Sequence, residues 1–177
     1  IRDSTYSKNK KELELLFQGF IRENPSMTVA ILRPCFVVGP GFTNPLARYL
    51  RKKFVILPLE TRPFQYIHED DLVEVISLFL RERRGGVYNV AGDGVMPFED
   101  MLRVLGNRLI RLPAGLLLAL NSVAWKLRLR FLTEFPSPAL NMVRYSWVAS
   151  NEKLKRETGY RFKYTTRQAF EDFAGRG

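Results

Sequence analysis

What most constrains the fold of this chain is an alternation. Segments with helical spacing of apolar residues trade places with short, β-branched apolar runs, and turn residues separate them. Leu13, Leu16, Phe17, Phe20 and Ile21 recur on one helix face, which predicts a helix over 6–23 that Pro25 and Ser26 break. Residues 28–32 read as a strand ending before Pro34, and Gly39, Pro40, Gly41 and Pro45 mark the loop that follows. A short helix is expected over 46–53, with strands over 54–57 and 64–67. Asp70 or Asp71 is expected to cap a helix carrying Leu72, Val73, Ile76, Phe79 and Leu80, closed by Gly85 and Gly86. A strand over 87–90 and helices over 98–105, 113–132 and 151–158 come next, the last stopped by Gly159. Thr165 or Thr166 caps a final helix with Ala169, Phe170 and Phe173. Strands alternating with helices imply an α/β fold with a mostly parallel sheet.

Composition narrows the class. With 46% hydrophobic, 12% aromatic and 26% charged residues, the 177-residue chain is globular rather than disordered or fibrous. One Cys and one His leave no internal disulfide and no structural zinc site, so no metal is expected. Together with the absence of an N-x-Ser/Thr acceptor, this predicts an intracellular, cytoplasmic protein. The net charge of +10 arises from basic groups at 8–11, 51–53, 81–84 and 126–130, with no helix-turn-helix, zinc-finger or RNA-binding pattern among them. Solvated helix ends explain such groups better than a nucleic-acid surface does, so no nucleic-acid partner is expected. The chain opens at Ile1 without Met, and a fragment of a longer protein is expected.

Tyr6 and Lys10 stand four residues apart on the first helix, which puts both on one face. A phenol titrating near about 10 is a poor acid or base at neutral pH. An ammonium beside it favours the phenolate and brings it into a useful range. An exposed first turn without chemistry would show the same spacing.

The wider context adds to this pair. It is followed by Val29-Ala30-Ile31-Leu32-Arg33-Pro34, by Val38-Gly39-Pro40-Gly41 and by Tyr66-Ile67-His68-Glu69-Asp70-Asp71-Leu72. Then come Gly86-Val87-Tyr88-Asn89-Val90-Ala91-Gly92 and Lys153-Leu154-Lys155-Arg156-Glu157-Thr158-Gly159-Tyr160. In this order and spacing the chain resembles the carboxyl-terminal half of extended short-chain dehydrogenases/reductases, the NAD-dependent epimerase/dehydratase family. The resemblance implies part of a doubly wound, Rossmann-type parallel sheet plus a small, largely helical substrate-binding region. It assigns 1–40 and about 64–92 to the Rossmann side and about 41–63 and 93–177 to the substrate-binding or lid region. The N-terminal cofactor-binding half would lie outside the chain.

The resemblance further implies Tyr6 as the catalytic acid/base and Lys10 as the residue that lowers its pKa and hydrogen-bonds the nicotinamide ribose. Pro34, Cys35, Phe36 and Val37 would line the nicotinamide of NAD or NADP. Phe36, Asn44, Arg62, Tyr66 and His68 are the implied substrate contacts, with a structural role for His68 equally open. Asp70 and Asp71 resemble the family's structural capping pair, and Asn89 is expected to tie a turn. The implied activity is hydride exchange with an alcohol or ketone substrate in an oxidoreductase, epimerase or dehydratase, the fragment alone being inactive. A non-catalytic, NAD(P)-sensing or partner-binding protein of the same fold is the alternative.

The chain also departs from that family. Phe36 and Val37 stand where nucleotide-sugar members carry Asn, and Phe64 where they carry Arg, with Arg62 close by. Apolar replacements remove hydrogen bonds a sugar nucleotide would need, which makes aliphatic, isoprenoid or sterol-like substrates as plausible. Gly39-Pro40-Gly41 and Gly92-Asp93-Gly94 lack a third Gly at the spacing of a dinucleotide fingerprint, and the family's catalytic Ser or Thr has no match. Leu13, Leu16, Phe17 and Phe20 are then expected to be exposed or covered by a partner, either a second copy or the missing half. The 113–132 helix is expected to pack on the core as a lid. Asn121, Ser122 and Lys126 leave it too short to span a bilayer, and a membrane-surface role is the less favoured reading. Cys35 is expected to be a packed residue rather than a nucleophile.

Overall fold

The computed structural model describes residues 5–43, 45–129 and 146–175, without the side chains of 5–7, 45, 46 and 49. Helix α1 (Thr5–Glu23) leads into strands β1 (Ala30–Pro34) and β2 (Phe36–Val38), helix α2 (Pro45–Leu50), β3 (Phe54–Pro58) and β4 (Tyr66–His68). There follow α3 (Glu69–Arg81), β5 (Gly86–Val90), α4 (Phe98–Val104), β6 (Arg108–Leu112), α5 (Ala114–Lys126), α6 (Glu152–Thr158) and α7 (Thr166–Gly175). β1 pairs with β5, β2 with β4 and β3 with β6, and every pairing is parallel. The α/β class with parallel strands is as expected. Each strand has one partner and one open edge among the described residues.

Residues 30–38 form one extended run that changes partner midway. Ala30 to Pro34 align with Gly86 to Val90, the Cys35 N–H donates to the Val90 carbonyl (3.0 Å), and Phe36 to Val38 align with Tyr66 to His68. Side chains alternate across β2 and β4, and this divides the interior in two. Phe36, Val38 and Tyr66 pack with Phe42, Leu50, Leu57, Phe98, Met101, Phe170 and Phe173. Val37 and Ile67 point the other way, to Val75, Phe79, Tyr88, Val90 and Leu154. The carboxyl ends of the central strands therefore emerge between two cores.

Several boundaries differ from expectation for identifiable reasons. His68, not Asp70 or Asp71, caps α3, because its Nδ1 accepts the Asp70 N–H (3.1 Å). α3 closes at Arg83 rather than at the two glycines. Arg83 takes the left-handed conformation (φ 48°), and the Arg84 N–H reaches back to the Phe79 carbonyl (3.0 Å), a Schellman closure. α5 ends at Lys126 in the same way, with Arg128 at φ 56° and the Leu129 N–H on the Ala124 carbonyl (2.9 Å); residues 130–132 lie outside the described part. β2 and β6 are strands that the sequence pattern did not announce. At the start of α7, the Thr165 hydroxyl accepts the Gln168 N–H (3.3 Å) and Gln168 Oε1 accepts the Thr165 N–H (2.9 Å), a reciprocal capping box.

Leu13, Leu16, Phe17 and Phe20 of α1 are all exposed, as their spacing without further strands implied.

Candidate active site

Among the described residues, an ion pair joins α1 to the sheet. Arg33 of β1 donates to Glu14 through Nε (2.9 Å) and Nη2, and Gln18 Nε2 adds a third donor (3.2 Å). The hydrogen bond from Arg33 keeps the Glu14 carboxyl below the ordinary carboxylate range. The pair also fixes direction. α1 ends at Glu23 and β1 starts at Ala30, so the helix end lies near the strand start. Glu14 sits roughly 13 Å back along the helix and Arg33 about 10 Å along the strand. The two elements must therefore run antiparallel, with the first turns of α1 at the carboxyl end of β1. Lys10 stands one turn beyond Glu14, and Tyr6 one turn beyond Lys10, on the same face. Lys10 is exposed; the Tyr6 side chain lies outside the described residues.

The turn after β2 closes this end of the sheet. The Phe42 N–H donates to the Gly39 carbonyl (3.1 Å) and anchors the ring of Phe42 against Phe173 (5.1 Å between centroids). Glu69, the first residue of α3, reaches back under the turn, where its Oε1 accepts the Gly41 N–H (3.1 Å). A Cβ at Gly39 would lie 2.6 Å from the Glu69 side chain and one at Gly41 2.9 Å, so both glycines make room for that carboxylate. Gly39-Pro40-Gly41 does link a strand to a helix. Yet the amide a phosphate would need already serves Glu69, and a neighbouring carboxylate repels an anion. The turn is not a phosphate cradle. Sequence reasoning passed over Glu69, and only the paired glycines hinted at it.

The expected substrate contacts divide. Asn44 lies outside the described residues. Arg62 is exposed beside Thr61 and Glu99, in a polar depression. Tyr66 belongs to the core instead: its ring is fully buried and its hydroxyl meets Met101 Sδ (3.4 Å). Phe64 is equally buried, edge-on to Phe98 (5.3 Å between centroids). Of Phe36, Phe64 and Tyr66, Phe36 alone is partly open, and it packs on Phe64 and Trp147.

His68 is structural as well. With Nδ1 accepting from Asp70, the proton sits on Nε2, which donates to Asp172 (3.1 Å), and the ring stacks on Tyr164 (3.9 Å between centroids). Both nitrogens are spoken for by protein groups. Asp71 fastens the carboxyl-terminal segment, accepting from Tyr160 Oη (2.7 Å) and from the N–H groups of Lys163 (2.9 Å) and Tyr164 (3.1 Å). Asn89 ties a distant segment rather than a turn, its Nδ2 donating to the Ser150 carbonyl (3.2 Å).

Pro34, Cys35, Phe36 and Val37 stand where β1 passes into β2. Burial pushes the Cys35 thiol up to about 12, which suits a packed residue and not a nucleophile. Gly92 lies where two strand ends nearly touch: a Cβ there would stand 2.3 Å from the Tyr66 carbonyl oxygen. Gln65, which the sequence did not single out, bridges the Gly92 carbonyl and the Ala149 N–H (2.8 Å each).

No protein-family model matches the chain. Uncharacterised proteins of Mycobacterium bovis and Mycobacterium tuberculosis are 28% identical over 175 residues, covering 97% of this chain and 46% of theirs. Among solved structures, dTDP-glucose 4,6-dehydratase from Bacillus anthracis in complex with NAD aligns with a TM-score of 0.68 at 17% identity, over 98% of this chain and 51% of that one. A human epimerase family protein with NADPH gives 0.61 at 18%, over 84% and 48%. UDP-N-acetylglucosamine 4-epimerase from Bacillus cereus gives 0.58 at 11%, over 88% and 49%. The fold is that of Rossmann-type epimerases and dehydratases. This chain spans about half the length of the relatives it matches.

Proposed function

We propose that the chain is the catalytic side of an NAD(P)-dependent oxidoreductase, epimerase or dehydratase acting on an alcohol or ketone. In this reading Tyr6 moves the proton of the substrate hydroxyl or carbonyl, and Lys10 stabilises the phenolate and holds the nicotinamide ribose. The observation that supports it is the Glu14–Arg33 pair, which joins α1 to β1 with the first turns of the helix toward the carboxyl end of the strand. That end of a doubly wound sheet is where a dinucleotide lies.

The residues present fit one end of the cofactor. Lys10 offers donors for ribose hydroxyls, and the run from Pro34 to Val37 offers an edge for the ring. When bound, NAD(P) supplies the hydride acceptor or donor for the substrate carbon. The pyrophosphate has no cradle among the described residues, since Glu69 occupies the Gly39–Gly41 turn. Its binding turn would belong to the remainder of the protein, which would also cover Leu13, Leu16, Phe17 and Phe20.

Titration of the complete protein with NADH and NADPH, followed by nicotinamide fluorescence, tests this reading. Lys10→Met should weaken binding roughly tenfold or more, the loss of a charge-assisted hydrogen bond. Unchanged affinity would remove Lys10 from the cofactor site and the reading with it.

A further inference from the structure

We propose that α5 docks on an anionic lipid surface. From Met101 to Thr133 the sequence has no acidic residue but carries Arg103, Arg108, Arg111, Lys126, Arg128 and Arg130. Within this stretch, α5 buries Leu117 and Ala124. On the flank adjoining them, Leu116, Leu120, Val123 and Leu127 recur at steps of four, three and four and are 49 to 64% exposed. Gly115 and Ala119 complete that exposed face, so no polar side chain interrupts it before Lys126. A surface helix facing only water would be polar on this side, and bare apolar faces of this size seldom persist in solution.

Charge selects the occupant. Lys126 and Arg128 are both exposed where the apolar face ends, on a stretch that offers no carboxylate. The same stretch of a second copy offers no carboxylate to meet these cations, whereas anionic headgroups complement them. Among the described residues no helix is long and apolar enough to cross a membrane. In the proposed placement α5 lies in the interface, with Leu116, Leu120 and Leu127 at the acyl boundary and Lys126 and Arg128 among the phosphates.

Flotation of the complete protein with vesicles of phosphatidylcholine plus phosphatidylglycerol, against phosphatidylcholine alone, tests the proposal. Binding to the mixed vesicles only, weakened several-fold by raised salt, is expected. Leu120→Glu should cut that binding at least about tenfold while leaving the thermal midpoint in place, because the side chain is exposed. Lys126→Glu should weaken it less but reduce the salt dependence, and it keeps the test open if Leu120→Glu fails to fold. Equal binding to both kinds of vesicle, or no effect of either variant, overturns the proposal. So does a dimer that Leu120→Glu dissolves, since the occupant would then be a second copy.

Discussion

Arg33 grips both carboxylate oxygens of Glu14, and this contact sets the direction in which the first helix points its remaining residues. The pair is partly exposed and should contribute no more than about 1 kcal/mol to stability. Its consequence is positional. On the proposed reading, Arg33→Met in the complete protein should leave the urea midpoint nearly unchanged while lowering turnover roughly tenfold, because it frees the helix that carries Tyr6 and Lys10 from β1. A large loss of stability with normal turnover of the folded fraction would contradict this.

The pair also has a pH signature. Glu14 titrates lower in the folded state than its unfolded value of about 4.3. Its contribution is therefore complete above that value and is lost as pH falls through the lowered one. Neutral and mildly acidic solutions should leave the contact intact, and Glu14→Gln should flatten the acid limb of the stability curve slightly.

Glu69 and Gly39 should couple. Gly39→Ala places a Cβ against the Glu69 side chain and should destabilise by about 1–3 kcal/mol. Adding Glu69→Ala clears the space, so the double variant should recover part of that loss despite losing the bond to Gly41. Strict additivity in a urea double-mutant cycle would show that the turn does not rest on Glu69.

Much of this was legible in the sequence because the signals are local. α1, α3 and α7 follow their apolar periodicity, and Gly159 and the Thr165 region mark the end of α6 and the start of α7 with ordinary cap chemistry. β2 was hidden because Phe36-Val37-Val38 sits between Pro34 and Gly39-Pro40, and only pairing with Tyr66-Ile67-His68, far along the chain, makes it a strand. β6 likewise exists through its ladder with β3, and Arg-Leu-Ile-Arg-Leu lacks a clean alternation of its own. Among the proposed site residues, the Tyr6/Lys10 spacing is readable from the sequence alone, whereas the Glu14–Arg33 contact joins positions on two separate elements. Tyr66 and His68 were candidates for their chemistry, but strand alternation and a cap turn both inward.

Cys35 should be inert while the protein is folded. With its thiol pushed up to about 12, the native protein holds roughly a thousandfold less thiolate than an unfolded chain titrating near about 8.5. A thiol reagent at mildly alkaline pH should react at least about a hundredfold more slowly before unfolding than after it. The sign for stability follows: the raised folded value favours the folded state below about 8.5, and that advantage is lost as pH rises toward about 12. Burial and the Asp71 hydrogen bond move the Tyr160 phenol upward too, so stability should keep falling above about pH 10. Rapid native-state labelling would place Cys35 on an open surface.

The most direct test is Tyr6→Phe in the complete protein, with NAD(P)H formation or loss followed in single-turnover reactions with the best alcohol or ketone of a panel that includes nucleotide sugars. Removing the phenolic hydroxyl should slow the hydride step by about a hundredfold or more while nicotinamide binding stays within about twofold of the parent. A Tyr6→Phe protein that transfers hydride at the parental rate would show that α1 does not carry the acid/base.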